Sequence, residues 1–145
     1  MANLNATRSA QWPLFAEFTW QVGDTMVNTS GVSDAFATVA SHVFDVINLP
    51  EGAVVVGGDV TTETAATGST LYNVSVGDSG SATRYLGATD KTTAVRTALI
   101  PTGYVGAGEN LRITVAPTGS TATAGKFTVR VEYIIRNRSN EVVSS

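Results

Sequence analysis

Cysteine is absent from the 145-residue chain, and histidine occurs once, as His42. Without cysteine, neither a disulfide framework nor a thiolate metal site can form. His42 precedes Asp45 by three residues, but positions three apart on a strand face opposite sides, so the two do not converge as a general base and its orienting acid. The sequence therefore predicts no catalytic, metal or cofactor site, and we interpret the chain as a non-enzymatic protein.

Charged residues are also scarce, at 14% of the chain against about a quarter in an average soluble protein. The net charge of −3 and the pI near 5.0 argue against a nucleic-acid binder, which normally carries a basic stripe. No apolar run approaches the roughly 20 residues that span a bilayer. The N-terminal residues 1–11 lack the basic and apolar stretches of a secretory signal. We therefore expect neither a nucleic-acid nor a membrane partner, and a chain that stays soluble in the cytoplasm where it is made.

The few charges are divided unevenly between the two halves of the chain. Before Ser75, seven acidic residues accompany a single base, Arg8, whereas eight bases and five acids follow it. One interpretation is charge complementarity between subunits, which would set their register. The other, which we favour, is that strands from the two halves pair within one fold.

Valine, threonine and aromatic residues instead form alternating segments. From Phe127 to Ile135 every second residue is apolar, and a period of two places one set of side chains on a buried face of a β-strand. A similar alternation over Leu14–Val22 follows Pro13, which is tolerated at the start of a strand. Phe15 lies on the polar side of this first strand, where it either contacts a partner or is covered by a loop.

Glycine and proline separate these segments. Leu49–Gly52 has the composition of a turn, and the pair Gly57-Gly58 inside an apolar run indicates a β-bulge or a close backbone approach. Residues 33–43 favour a loop that runs into a strand, with a short helix as the alternative. The last two strands, near residues 111–115 and 127–135, have the pattern of an antiparallel hairpin with a long tip.

About eight strands with glycine- and proline-rich turns predict an all-β fold, an antiparallel β-sandwich of the jelly-roll type. We expect the sandwich to occupy residues 12–136, between a polar N-terminal arm, 1–11, and a C-terminal tail, 137–145.

Two binding or catalytic alternatives depend on particular side chains. A sugar-stacking platform would need several exposed aromatics, although aromatics on strands more often belong to the core; the candidates are Trp12, Trp20, Tyr72, Tyr85 and Tyr104. A glycosidase would need two opposed carboxylates in a cleft. Glu17 and Glu132 lie on outward strand faces, and nothing in the sequence marks them as a pair.

Four segments carry a resemblance to a known family: Leu49–Gly58, Val76–Gly87, Pro101–Tyr104 and Lys126–Ile135. Over roughly residues 44–140 the chain resembles a family of small virion proteins of tailed bacteriophages. The family includes jelly-roll capsid cement or decoration proteins, such as the cement protein of Bordetella-type short-tailed phages.

The resemblance implies a homodimer or homotrimer that binds the major capsid protein on the outer capsid surface. The virion is then its location, with the host cytoplasm as its place of assembly, and no active-site residue is carried over. The candidate partner-binding residues are Phe15 and the basic residues Arg130, Arg136 and Arg138, which either meet an acidic capsid surface or form a solvated strand end. The alternative function is a host- or glycan-binding module of a phage fibre or tail.

Overall fold

The computed structural model describes residues 12–136, which form ten β-strands and no helix. The predicted arm 1–11 and tail 137–145 lie outside the described residues. Within the described part, no helix is long and apolar enough to cross a membrane. The strands are β1 (Leu14–Gln21), β2 (Thr25–Val27), β3 (Ser33–Ala35), β4 (His42–Ile47), β5 (Ala53–Thr67), β6 (Leu71–Gly77), β7 (Leu86–Asp90), β8 (Arg96–Ala98), β9 (Leu111–Thr118) and β10 (Ala124–Ile135).

Eight of these strands form two four-stranded antiparallel sheets. Sheet I has the order β1-β10-β5-β8, and sheet II has the order β4-β9-β6-β7. Strands β2 and β3 pair separately as a small two-stranded sheet. The predicted all-β, antiparallel sandwich is confirmed.

The eight sandwich strands pair as one long hairpin that is folded over on itself. Strand β1 pairs with β10, β4 with β9, β5 with β8, and β6 with β7, so the first half of the sandwich pairs in reverse order with the second half. The pairs β5–β10 and β6–β9 then complete the two sheets. This double-sheet arrangement is that of a jelly roll.

One local prediction is wrong, and one local alternative is excluded. Strands β9 and β10 do not form a hairpin, since β9 lies in sheet II and β10 lies in sheet I. Both strands alternate because both face the core, and that alternation does not reveal which sheet a strand joins. The alternative of a short helix over residues 33–43 is excluded. The backbone N–H of Phe36 instead donates to the Asp24 carbonyl at 3.1 Å, which joins the segment to the turn after β1.

An aromatic cluster occupies the centre of the core between the two sheets. Trp20, Phe36, Tyr72 and Phe127 are fully buried, and the rings of Tyr72 and Phe127 stack at 5.0 Å between centroids. Trp20 Nε1–H donates to the Tyr72 hydroxyl at 3.3 Å, and that hydroxyl donates to the Phe36 carbonyl at 3.1 Å. Burial raises the pKa of Tyr72, so the hydroxyl keeps its proton and this chain of hydrogen bonds persists at neutral pH.

The uneven charge distribution is explained by pairing within the fold. Acids of the first half form ion pairs with bases of the second half, as the favoured interpretation predicts. The pairs are Asp45–Arg112 at 2.6 Å, Asp59–Arg96 at 2.7 Å, Glu63–Lys126 at 3.1 Å and Asp59–Arg130 at 3.5 Å. Because the jelly roll pairs early strands with late ones, complementary charges of the two halves meet across strands.

The predicted bulge at Gly57-Gly58 is confirmed. Glu132 is opposite Gly57 while the next residue of β10, Tyr133, is opposite Val55, so Val56 has no partner. Gly58 has a φ of +134°, and a Cβ built on it would lie 2.2 Å from the Arg130 carbonyl oxygen. Only glycine fits this approach of β5 to β10.

Candidate partner-binding face

The outer face of sheet I carries two of the predicted partner-binding residues, Phe15 and Arg130. Alternate residues of its central strands, such as Phe127 and Val60, are buried in the core, so their neighbours face outward. The strand register arranges these outward residues in rows across β1, β10 and β5. The rows are Phe15–Glu132–Gly57, Glu17–Arg130–Asp59 and Thr19–Thr128–Thr61.

Phe15 is the most open apolar side chain of this face, with 74% of its surface exposed. Trp12, just before β1, is 82% exposed. No described residue covers the Phe15 ring, and its contact with a partner stays a prediction. Large exposed aromatic side chains beside polar groups are typical anchors of protein interfaces.

Arg130 is held by groups of the neighbouring strand β5. Its Nε lies 3.5 Å from Asp59 Oδ1, and its Nη2 donates to Thr61 Oγ1 at 3.3 Å. Arg96 on β8 approaches the same carboxylate, with Nε 2.7 Å from Asp59 Oδ2. The buried Asp59 carboxylate on β5 therefore pairs with two guanidinium groups, one from β8 and one from β10. Sequence reasoning missed this role of Asp59, because its partners lie 37 and 71 residues away along the chain.

The other basic candidates do not join Arg130 in the described structure. Arg136 follows β10 and is exposed, and its backbone N–H donates to the Gly52 carbonyl at 2.8 Å. It lies six positions beyond Arg130, which corresponds to roughly 20 Å along an extended strand. Arg138 lies outside the described residues. Contact of these arginines with an acidic surface therefore stays a prediction.

A hollow in the outer face lies beside the bulge. Gly57 has no side chain beneath the Glu132 carboxylate, and a Cβ there would lie 3.2 Å from Glu132 Oε2. The residues around the hollow are Phe15, Gly58, Asp59, Arg96, Arg130, Val131 and Glu132. Aromatic, carboxylate and guanidinium groups thus meet at one place on the outer face of sheet I.

Most of the candidate sugar-stacking aromatics belong to the interior. Trp20, Tyr72 and Tyr85 are buried, and burial raises the pKa of Tyr85 to about 12. The guanidinium of Arg84 covers one face of the Tyr104 ring, with Cζ 3.6 Å from the ring centroid. Trp12 alone of the five stays open, so the described residues assemble no aromatic platform from this set.

The side chains of the Arg84–Tyr104 contact connect two loops at one end of the sandwich. Arg84 donates from Nε and Nη2 to the Asp78 carboxylate, and these hydrogen bonds raise the pKa of Arg84. The Tyr104 hydroxyl donates to Glu109, which raises the pKa of Tyr104 and lowers that of Glu109. Each polar group here has an intramolecular partner, so we assign this network to loop packing.

The remaining polar candidates are also placed apart. His42 Nδ1 lies 3.1 Å from Asp34 Oδ2, whereas Asp45 pairs with Arg112, so His42 and Asp45 do not converge, as predicted. Glu17 and Glu132 lie on the open outer face of sheet I, diagonal to each other across β1 and β10. Sequence alternation correctly placed both outward, although only the strand pairing shows that they are neighbours.

Comparisons with known proteins give structural neighbours only. No family model matches the chain, and no curated protein matches it. Among solved structures, a chain in the capsid asymmetric unit of cyanophage Pam1 is similar, with a TM-score of 0.62 and 25% identity over 92% of this chain and 94% of that chain.

Two further capsid structures contain similar chains. One is in the capsid of Ralstonia phage GP4, with a TM-score of 0.59 and 13% identity over 95% of this chain and 92% of that chain. The other is in the acid-stable capsid of Helicobacter pylori bacteriophage KHP30, with a TM-score of 0.52 and 15% identity over 83% of this chain and 92% of that chain. These two share the fold with this chain. The likeness to the cyanophage chain supports a structural protein of a phage virion.

Proposed function

We propose that this chain is a capsid decoration protein, a non-enzymatic component that binds the outer surface of an assembled phage head and stabilises it. The observation that carries the proposal is the likeness to a chain of the cyanophage Pam1 capsid, which extends over more than nine-tenths of both chains. Its partners are then the major capsid protein and further copies of itself, as a homodimer or homotrimer.

Binding energy explains how such a protein stabilises a shell. A protein that binds the assembled lattice, and not separated capsid subunits, shifts the equilibrium toward the lattice by mass action. At a free concentration one hundred times the Kd, this contributes about 2.7 kcal/mol for each occupied site. Many copies of modest affinity therefore suffice to strengthen a head against internal pressure.

The described structure suits a rigid adhesive module. Its core is continuous between the two sheets, and the ion pairs of sheet I fix the outward side chains of that face. We place the capsid contact on the outer face of sheet I, around Phe15, because this face combines an exposed aromatic anchor with a polar surround. Strand β1 forms the edge of the sheet and offers its outer side for pairing with a neighbouring subunit.

Co-sedimentation with phage capsids tests the proposal. Purified protein is mixed with empty capsids of the phage that encodes it, before and after shell expansion, and the bound fraction is measured for each form. Binding to free major capsid protein is measured as the control. We expect saturable binding to at least one assembled form, none to the free subunits, and a higher melting temperature of the decorated shell. Absence of binding to both capsid forms contradicts the proposal, and binding to host cells or polysaccharide would instead indicate a fibre or tail module.

A further inference from the structure

We infer that the open edge of β1, defined as the backbone of Phe15, Glu17 and Thr19, binds an extended segment of the major capsid protein as an added β-strand. The segment carries apolar side chains toward the core and a basic residue opposite Glu17. That the partner is a capsid protein rests on the proposed function, whereas the strand shape and the side-chain pattern of the segment are inferred from the edge itself.

The end of β1 shows which of its residues turn their backbone groups toward the open edge. The N–H of Gln21 donates to Asp24 Oδ2 at 2.9 Å, and its carbonyl accepts from the Asp24 N–H at 3.0 Å. The next residue, Val22, donates instead to the carbonyl of Gly125 on β10 at 3.1 Å. Along a strand, the backbone groups of successive residues point to opposite sides. The three residues of the open edge alternate in step with Gln21, so their N–H and C=O groups point away from β10.

A side-chain contact across β1 and β10 supports this orientation. Residues of an antiparallel pair that do not hydrogen-bond to each other lie closer together, at about 4.5 Å between Cα atoms. Thr19 is directly opposite Thr128, and their hydroxyl oxygens lie 2.9 Å apart. Among the described residues, no backbone group pairs with the open edge, and β10 is the one neighbour of β1 in sheet I. A free edge of this kind is a template for an added strand.

The core is incompletely covered beside the open edge. Leu14, Ala16 and Phe18 point inward from β1, as do their neighbours Val129 and Val131 on β10. The two valines are fully buried, whereas Leu14 is 38% exposed, and Ala16 and Phe18 are only partly buried. A strand added to β1 would cover this row with its own inward side chains, which must therefore be apolar.

A recess at the C-terminal end of the open edge fits one of these apolar side chains. Its apolar lining consists of Phe18, Met26 and Phe36, and Thr19 borders it. Free backbone groups and an apolar recess therefore lie side by side. In strand addition, main-chain hydrogen bonds give affinity, and pockets for alternate side chains give specificity.

Charge along the edge argues against a second copy of this chain as the occupant. In an antiparallel pair of two β1 strands, the register that joins all three residues places Glu17 opposite its own counterpart. Like charges directly opposite each other destabilise such a pair. A register shifted by two residues avoids this but joins only two of the three, since Pro13 has no N–H and the Gln21 groups are held by Asp24.

A segment of another protein avoids this repulsion, and a basic residue opposite Glu17 replaces it with attraction. Arg130 is opposite Glu17 on β10, but its guanidinium is directed to Asp59 and Thr61 on β5. The other side of Glu17 therefore lies open to a charge on the added strand. The exposed Phe15 ring offers apolar contact to an outward side chain of the same segment.

Capsid binding by two variants of one position tests the inference. Glu17→Pro removes an N–H that faces the open edge and leaves the hydrogen bonds to β10 in place, as proline on an edge strand does. Glu17→Ala is the matched control, because it removes the same side chain and keeps the N–H. We expect the Kd for capsids to rise about tenfold or more for Glu17→Pro and about threefold for Glu17→Ala. Circular dichroism of both variants verifies that the sandwich is folded.

Hydrogen exchange of the unsubstituted protein is a second measurement, which needs no variant. In the free protein, NMR should show fast exchange for the amides of the open edge and slow exchange for those of Ala16 and Phe18, which face β10. When exchange takes place in the capsid-bound state, we expect the amides of the open edge to be protected as well. Fast exchange of these amides in the bound state contradicts the inference.

A capped peptide separates this inference from the proposed function. The peptide Thr-Val-Lys-Val-Thr places a lysine opposite Glu17 and valines on the inward side, and Thr-Val-Glu-Val-Thr is its control. We expect the lysine peptide to shift the NMR resonances of the open edge, the glutamate peptide to have a weaker effect, and Glu17→Pro to lose the response. If the protein gives this response but binds no capsid, the proposed function fails and the strand-addition site stands.

Three outcomes overturn the inference. The first is equal capsid affinity of folded Glu17→Pro and Glu17→Ala, with no response to the lysine peptide. The second is dissociation of an oligomer by Glu17→Pro, measured by light scattering, with capsid affinity per subunit unchanged, because a second copy then occupies the edge. The third is slow exchange of the open-edge amides in the free protein that becomes fast when residues 137–145 are deleted, because the chain's own tail then covers the edge.

Discussion

At the scale of single residues, Lys91 is the least expected feature of the core. It follows β7 and is fully buried, with its Nζ donating to Thr97 Oγ1 at 2.5 Å. Its backbone N–H donates to the Tyr72 carbonyl and its own carbonyl accepts from Ala66, so it lies where the two sheets meet. Burial lowers the pKa of Lys91, which means that the charged form costs folding free energy at neutral pH.

We predict that Lys91→Met raises the free energy of unfolding by about 1–2 kcal/mol at pH 7, because an apolar side chain of similar volume replaces a buried charge. The folded pKa lies below the unfolded value of 10.5, so the unsubstituted protein gains stability as pH rises toward 10.5 and the advantage of the variant shrinks. Urea denaturation between pH 7 and 10.5 measures this, with Lys126→Met as a control at an exposed ion pair. Identical pH slopes for Lys91→Met and the unsubstituted protein would contradict the prediction.

The Tyr72 hydroxyl provides a second test at the same scale. Tyr72→Phe leaves the buried Trp20 Nε1–H and the Phe36 carbonyl without their partner, and we expect a loss of about 1–3 kcal/mol. Because burial raises the pKa of Tyr72 above 10.0, its contribution is complete below pH 10 and is lost as pH rises further. The variant should therefore lose less stability than the unsubstituted protein above pH 10. Thermal unfolding monitored by circular dichroism measures both effects, with the partly buried Tyr133→Phe as the matched control.

At the scale of single elements, the bulge of β5 shapes the candidate binding face. We predict that Gly58→Ala costs about 2–3 kcal/mol, because its Cβ would meet the Arg130 carbonyl and its φ of +134° is unfavourable for alanine. Gly87→Ala on β7 is the control, since no atom lies within 4 Å of its added Cβ. Equal unfolding midpoints in guanidinium chloride for the two variants would contradict this account of the bulge.

Sequence patterns predicted individual strands well, because alternation depends only on which face is buried. Strand β1 and the bulge at Gly57-Gly58 were predicted, since proline, glycine and a period of two act locally. The separation of β9 and β10 into different sheets was not predicted, because a loop of small residues is compatible both with a hairpin and with a crossing between sheets. The outward position of Phe15 was likewise readable from alternation. The ion pairs of Asp59 with Arg96 and Arg130 join three strands, and no local sequence pattern predicts them.

At the scale of the whole molecule, the jelly roll makes most strand pairs distant in sequence. Strand β1 pairs with β10 so that Leu14 is opposite Tyr133. The chain must close such long loops, at a cost in conformational entropy, before the strands form stabilising contacts. Folds dominated by distant pairs therefore fold in milliseconds to seconds. We predict refolding in this range by stopped-flow tryptophan fluorescence, with Trp20 as the buried reporter. Refolding within microseconds would contradict the observed strand pairing.

The folded-over hairpin also means that β1, β4 and β5 find no sandwich partner among themselves, and each pairs only with strands of the second half. When the chain is cut at the exposed Gly68 between β5 and β6, the first fragment should therefore form no sandwich sheet alone, whereas the second keeps the pairs β6–β7 and β6–β9. We expect the first fragment to fold only when the two are mixed. Circular dichroism of each fragment and of the mixture would reveal such reconstitution. The second half of the chain is thus the template on which the strands of the first half assemble.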